Sequence, residues 1–145
     1  MKYRHVFGLF AVLTLLMVVL AACGGSNTST TPSGPQEVQV TLSEYKITSS
    51  MTTFTPGTPY HFVVTNQGKV AHEFMIMPMG MNMSGMSMDD MHRAALYMVD
   101  NVNPGETKTF DYTFPSSPGG QSLEFACHLP GHYEAGMRLP LTISK

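Results

Sequence analysis

The sequence predicts an all-β domain, a sandwich or barrel with one short helix, on three observations. Short alternating or β-branched runs recur from Glu37 onward. Gly, Pro and Asn clusters separate them. Only one stretch, rich in helix formers, breaks that pattern. Short strands punctuated in this way build sandwiches and barrels.

The chain opens on an export signal. Lys2 and Arg4 precede an uncharged run from Val6 to Leu20, the order of a secretory signal. Leu20-Ala21-Ala22-Cys23 follows and resembles the bacterial lipobox, whose cysteine becomes the lipid-bearing first residue. As a retained helix the apolar run would reach only about 22 Å, at about 1.5 Å per residue, short of a ~30 Å hydrocarbon core. Residues 1–22 are therefore read as a lipoprotein signal peptide and Cys23 as the lipidation site. On this reading the mature chain is extracytoplasmic, on the periplasmic or cell-surface face, and anchored to the membrane by lipid. Residues 23–36 carry that cysteine and a Gly/Ser/Thr/Pro stretch without large apolar side chains, a flexible linker.

Residues 37–145 are the length of one domain. Glu37 to Leu42 alternates polar and apolar, as a half-buried strand does. Tyr60 to Thr65 is aromatic and β-branched. Asn66-Gln67-Gly68-Lys69 is a turn signal, and Val70 to Met77 the next strand. Asp89 to Tyr97 places acids before good helix formers and is the one expected helix. Asn103-Pro104-Gly105 turns into the alternating Thr107 to Phe114. Pro115 to Gly120 reads as a loop; Leu123 to Cys127 and Leu139 to Ile143 are the last strands.

Composition narrows the function. The 145 residues carry net charge -2, and loss of the signal leaves 6 basic against 10 acidic residues. Nucleic acid is not an expected partner, because phosphate binding needs a basic face. With 2 cysteines, one of them lipidated, a disulfide-stapled mini-protein and a multi-cysteine metal cluster are both excluded. Cys127 is then the free thiol.

The chemistry concentrates near the C-terminus. Residues 125–137 read FACHLPGHYEAGM, which spaces Cys127, His132 and Met137 as C-x4-H-x4-M. His72 lies on an earlier strand. Taken singly, a strand histidine, a core cysteine and a gap-filling methionine are ordinary. Together they supply a thiolate, two imidazoles and a thioether, the donor set of trigonal blue-copper sites. Zinc suits this set less, since its sites use no thioether. Covalent c-type haem would need C-x-x-C-H, which is absent from the sequence.

This segment resembles the cupredoxins, the small blue-copper proteins, and its loop spacing is most similar to auracyanin, rusticyanin and sulfocyanin. Ala71-His72-Glu73-Phe74 is similar to the family's first-histidine strand. The resemblance covers Glu37 to Lys145. It implies a Greek-key β-sandwich, one type 1 copper, and His72, Cys127, His132 and weak axial Met137 as its ligands. Two residues depart from the family pattern. Glu73 stands where a neutral asparagine is frequent, and Arg138 where a small residue is common. His128, next to Cys127, should face away from a metal held by Cys127, because strand neighbours point to opposite faces.

Methionine is the compositional outlier, with 13 copies, 8 of them between Met75 and Met91. Met75 and Met77 alternate on a strand. Met79, Met81, Met83, Met86, Met88 and Met91 are interleaved with Gly, Asn and Ser and predict an exposed loop. Three roles fit it: a secondary Cu(I) site, since thioethers favour Cu(I); a docking patch; or a lid over the sandwich end. His92, Asp89 and Asp90 could add donors to the first.

Two functions follow. One is a membrane-tethered electron carrier cycling one copper between Cu(I) and Cu(II), with redox partner proteins. The other is sequestration, delivery or resistance through the Met-rich segment, with additional Cu(I) and a copper-handling partner. Neither is an enzyme, and a monomer is the expected state.

Overall fold

The computed structural model describes residues 34–81, 85–116 and 122–144. The expected signal peptide, Cys23, nearly all of the expected linker, Met83 and most of the expected Pro115 to Gly120 loop lie outside the described residues. Nine strands and one helix follow in order among the described residues: β1 (Gln36–Ser43), β2 (Lys46–Ser49), β3 (Thr53–Phe54), β4 (Pro59–Asn66), β5 (His72–Pro78), α1 (Met88–Ala94), β6 (Tyr97–Val102), β7 (Thr107–Thr113), β8 (Leu123–Ala126) and β9 (Arg138–Ile143).

The strands form two mixed sheets, in orders β2-β1-β4-β7 and β3-β9-β8-β5-β6. β1 pairs parallel with β4 and β3 parallel with β9. The chain crosses between sheets at β2–β3, β3–β4, β4–β5, β6–β7 and β7–β8, the connectivity of a Greek-key β-sandwich. Alternation makes this possible. Val38, Val40 and Leu42 of β1 and Tyr60, Phe62 and Val64 of β4 meet Phe74, Ile76, Phe125 and Leu141 of the other sheet in one core. Phe62 stacks on Phe110 at 4.9 Å and Phe54 on Phe114 at 4.6 Å. Each such ring buries a large apolar area, so the aromatic layer dominates the stability of the sandwich.

Three expectations are corrected. The helix ends at Ala94, not Tyr97, and Ala95 is already extended (φ -67, ψ 140). Leu96 N–H donates to Ile76 C=O at 2.8 Å, and Tyr97 opens β6 by stacking on Phe110 at 4.1 Å; sheet pairing outweighs local helix preference. The strand expected from Val70 begins at His72, because Asn66 Nδ2 donates to Val70 C=O at 2.8 Å and holds that segment in the connection. The short strands β2, β3 and β6 had no clear alternation and were not expected.

Candidate metal centre

His72 opens β5 and Cys127 follows the last residue of β8; the two strands are antiparallel neighbours with Met75 opposite Ala126. That register brings both residues to one end of the sandwich. The segment from Cys127 to Met137 then folds back on itself. His132 N–H donates to Leu129 C=O at 2.9 Å, Met137 N–H to His132 C=O at 3.0 Å and Cys127 N–H to Met137 C=O at 3.1 Å. Gly131 at φ 83 and Gly136 at φ 100 occupy left-handed positions where a side chain would be strained. These turns seat Cys127 and Met137 at the two ends of one closed loop, with His132 midway.

The result is convergence. Ligand atoms of His72, Cys127 and His132 all lie within 4.8 Å of one another. His72 Nδ1 is 3.3 Å from His132 Nδ1, and Cys127 Sγ is 3.4 Å from the same nitrogen. Met137 is fully buried in the core cluster that also holds Cys127. His72 and Cys127 are buried, and His132 is half-buried with its ring edge-on to exposed Tyr45 at 5.5 Å. Two donors bound at about 2.0–2.1 Å to one ion at the tetrahedral angle lie about 3.4 Å apart. The cluster therefore has the spacing of ligands around one ion, and its donor types fit copper.

The electrostatics agree. Burial pushes the Cys127 thiol up from its ordinary range. Burial pushes His72 down, and the neighbouring His132 adds to this. The thiol keeps its proton until a cation displaces it, whereas the imidazole stays neutral with a free lone pair.

Positioning residues surround the cluster. Asn66, buried at the end of β4, donates from Nδ2 to Val70 C=O and Val102 C=O and accepts from Gly68 N–H, each at 2.8 Å. Gly68 lies so close to the cluster that a Cβ there would stand 3.1 Å from His72 Nε2. Lys69 N–H donates to the Glu44 carboxylate, which fixes the turn beside it. Glu73, the departure noted in the sequence, is buried and its Oε1 accepts from His128 N–H at 2.7 Å. The carboxylate thus holds the backbone just after Cys127, a role its sequence position hinted at and its charge obscured. The His128 ring faces away from the cluster and stacks on Tyr133 at 4.3 Å.

The methionine segment divides. Met75 and Met77 are fully buried on the outer face of their sheet, Met91 is buried on α1, and Met79 is 45% exposed. Met81, Met86 and Met88 are half-buried. The exposed loop expected over Met79 to Met91 is thus corrected at its helical end, where Met88 and Met91 belong to α1 and Met91 is buried. Asp90 is held by Ser87 and Arg93, and Asp89 lies in the first turn of α1.

No family model matches the chain. It is 36% identical over 96 residues, 59% of this chain, to a copper-resistant cuproprotein CopI of Vibrio cholerae serotype O1. It is 29% identical over 119 residues, 60% of this chain, to the Pseudomonas aeruginosa protein of the same name. The matches span 50% and 64% of the lengths of those relatives. Among solved structures, it is similar to a reduced auracyanin of Roseiflexus castenholzii (TM-score 0.58, 19% identity, 77% of this chain and 100% of that one). Auracyanin B matches at TM-score 0.59 and 23% identity over 77% of this chain and 91% of that one. An azurin of Methylomonas sp. strain J matches at 0.58 and 13%, over 77% of this chain and all of its own. Two facing mixed sheets, a ligand-type cluster at one end and these neighbours place the chain in the cupredoxin fold.

Proposed function

We propose that this chain is a membrane-tethered, extracytoplasmic type 1 copper protein that carries single electrons between redox partners. The observation that carries the reading is the convergence of His72, Cys127 and His132 within 4.8 Å, with Met137 buried at the end of the same loop. Copper bound there would supply a one-electron Cu(I)/Cu(II) couple. The chain's own residues supply the rest. Burial of Cys127, His72 and Met137 excludes water, and a packed, hydrogen-bonded loop limits rearrangement between the two charge states. Half-buried His132, beside exposed Tyr45, is the one candidate ligand that is not buried and so the exit to a docked partner. The basic start, apolar run and Leu20-Ala21-Ala22-Cys23 pattern support placement outside the cytoplasm on a lipid anchor.

A second reading is copper sequestration, delivery or resistance. The Met-rich segment favours it, and so do two relatives whose names describe copper-resistant cuproproteins. Loading the chain with copper and recording its visible spectrum and copper content separates the two. Electron carriage expects an intense thiolate-to-copper band at one copper per chain, abolished in Cys127→Ser. Several Cu(I) ions without that band would reject the carrier and leave the handler.

A further inference from the structure

The outer face of the five-stranded sheet carries a second polar cluster that the first site does not use. Along β5, His72, Phe74 and Ile76 turn toward the site and core, and Glu73, Met75 and Met77 turn the other way. That outer face is not open to water. Met75, Met77 and Ala126 form a small buried cluster covered by Ala95, Met98 and Tyr133.

Glu73 is 1% exposed in this layer. Its Oε1 is satisfied by His128 N–H, but its Oε2 has no hydrogen-bond partner. His92 Nε2, brought in by α1, lies 3.4 Å from that oxygen, an ion pair only when the imidazole is protonated, and is also buried without a hydrogen bond. Among the described residues, the only other buried side-chain N or O atoms without partners are His128 Nε2 and His72 Nε2 of the first site. An orphaned buried carboxylate oxygen is costly and asks for a positive partner.

The separation is informative. Glu73 Oε2 and His92 Nε2 stand 3.4 Å apart, as Cys127 Sγ and His132 Nδ1 do in the first site. Both match two donors on one ion. The surrounding layer is thioether-rich, which selects a soft cation. A monovalent ion would cancel the Glu73 carboxylate and leave no net charge buried.

The geometry points to a second copper site that takes Cu(I) between α1 and the sheet, held by Glu73 and His92 on the sheet face that carries the thioethers of Met75 and Met98. It rests on the reading of the chain as a copper protein, not on electron carriage. Glu73 follows the ligand His72 in the chain and grips the backbone after the ligand Cys127. The two ions would therefore be neighbours joined through one side chain.

The test is an anaerobic Cu(I) titration of the full chain against a chromogenic Cu(I) chelator. Wild type should retain two Cu(I) per chain and His92→Ala one, with the thiolate band unchanged when the variant is loaded with one Cu(II). Glu73→Gln keeps an acceptor for His128 N–H and should also lose one equivalent. Retention of one Cu(I) by wild type would overturn the proposal. So would two in both variants, since the second ion would then belong to the exposed methionines. Absence of the thiolate band in wild type would instead count against the type 1 site, whatever the titration shows.

Discussion

At the residue scale, each candidate ligand is made usable by its surroundings. His72 keeps its lone pair because burial disfavours its cation, and Gly68 leaves room for its ring. Gly68→Ala would put a methyl group 3.0 Å from Glu44 Oε1 and 3.1 Å from both Asn66 Oδ1 and His72 Nε2. The Glu44, Asn66 and His72 side chains must then give way by a few tenths of an ångström. We expect a displaced thiolate-to-copper band and weaker copper retention, checked by absorption and chelator competition; an unchanged spectrum would mean that the turn absorbs the methyl group. As the proposed axial ligand, Met137 would act through its sulfur. Met137→Leu keeps the buried volume, so the fold and copper should persist. Loss of a donor penalises Cu(II) more than Cu(I), so the reduction potential should rise, as voltammetry would show. An unchanged potential would remove Met137 from the axial position.

At the element scale, the site depends on where two strands end and how one connection is held. Asn66 ties the β4–β5 connection to β6 through Val70 C=O and Val102 C=O. Asn66→Ala strands those groups in a buried setting, where each unsatisfied partner costs about 1–3 kcal/mol. Denaturant unfolding should register a loss of at least about 1 kcal/mol, together with poorer copper retention, since His72 begins the next strand. A loss of stability with full copper retention would confine Asn66 to the fold. The β6 edge is also shaped for this end. The register slips between His72 and Phe74, where Asp100 and Asn101 of β6 oppose Glu73 of β5, and Asn101 adopts φ 47. Asparagine tolerates that conformation, so the bulge bends the strand pair at the first ligand.

At the scale of the whole molecule, the aromatic sandwich is a rigid platform and the site is its end. Its pH response follows from buried imidazoles. His72 and His128 are both held below their ordinary value of 6.5, each chiefly by burial. As pH falls through that value, the unfolded chain takes up protons that the folded chain does not. The stability of the copper-free chain should therefore be greatest above the unfolded value and fall progressively below it, by at most about 1.4 kcal/mol per pH unit for each imidazole. Thermal unfolding between pH 8 and pH 5 checks the sign. A flat profile would show that neither group is protected in the folded state.

The sequence alone determined the all-β class, the one helix among the described residues and the choice of four candidate ligands. Those properties are written in local signals: alternation, turn residues, and soft donors at loop spacing. The tertiary structure decided the rest. It cut the helix at Ala94, because Tyr97 stacks better on Phe110 than on a helical turn. It formed β2, β3 and β6, whose strand character comes from partners far along the chain. It brought His72 to Cys127 and His132 across 60 residues of sequence. Glu73 shows the limit most clearly. Its position beside His72 was legible, but its grip on His128 and its approach to His92 were not. Periodicity is a property of neighbours in the chain, whereas a buried carboxylate's partners are set by which strand and helix the folded sandwich lays against it.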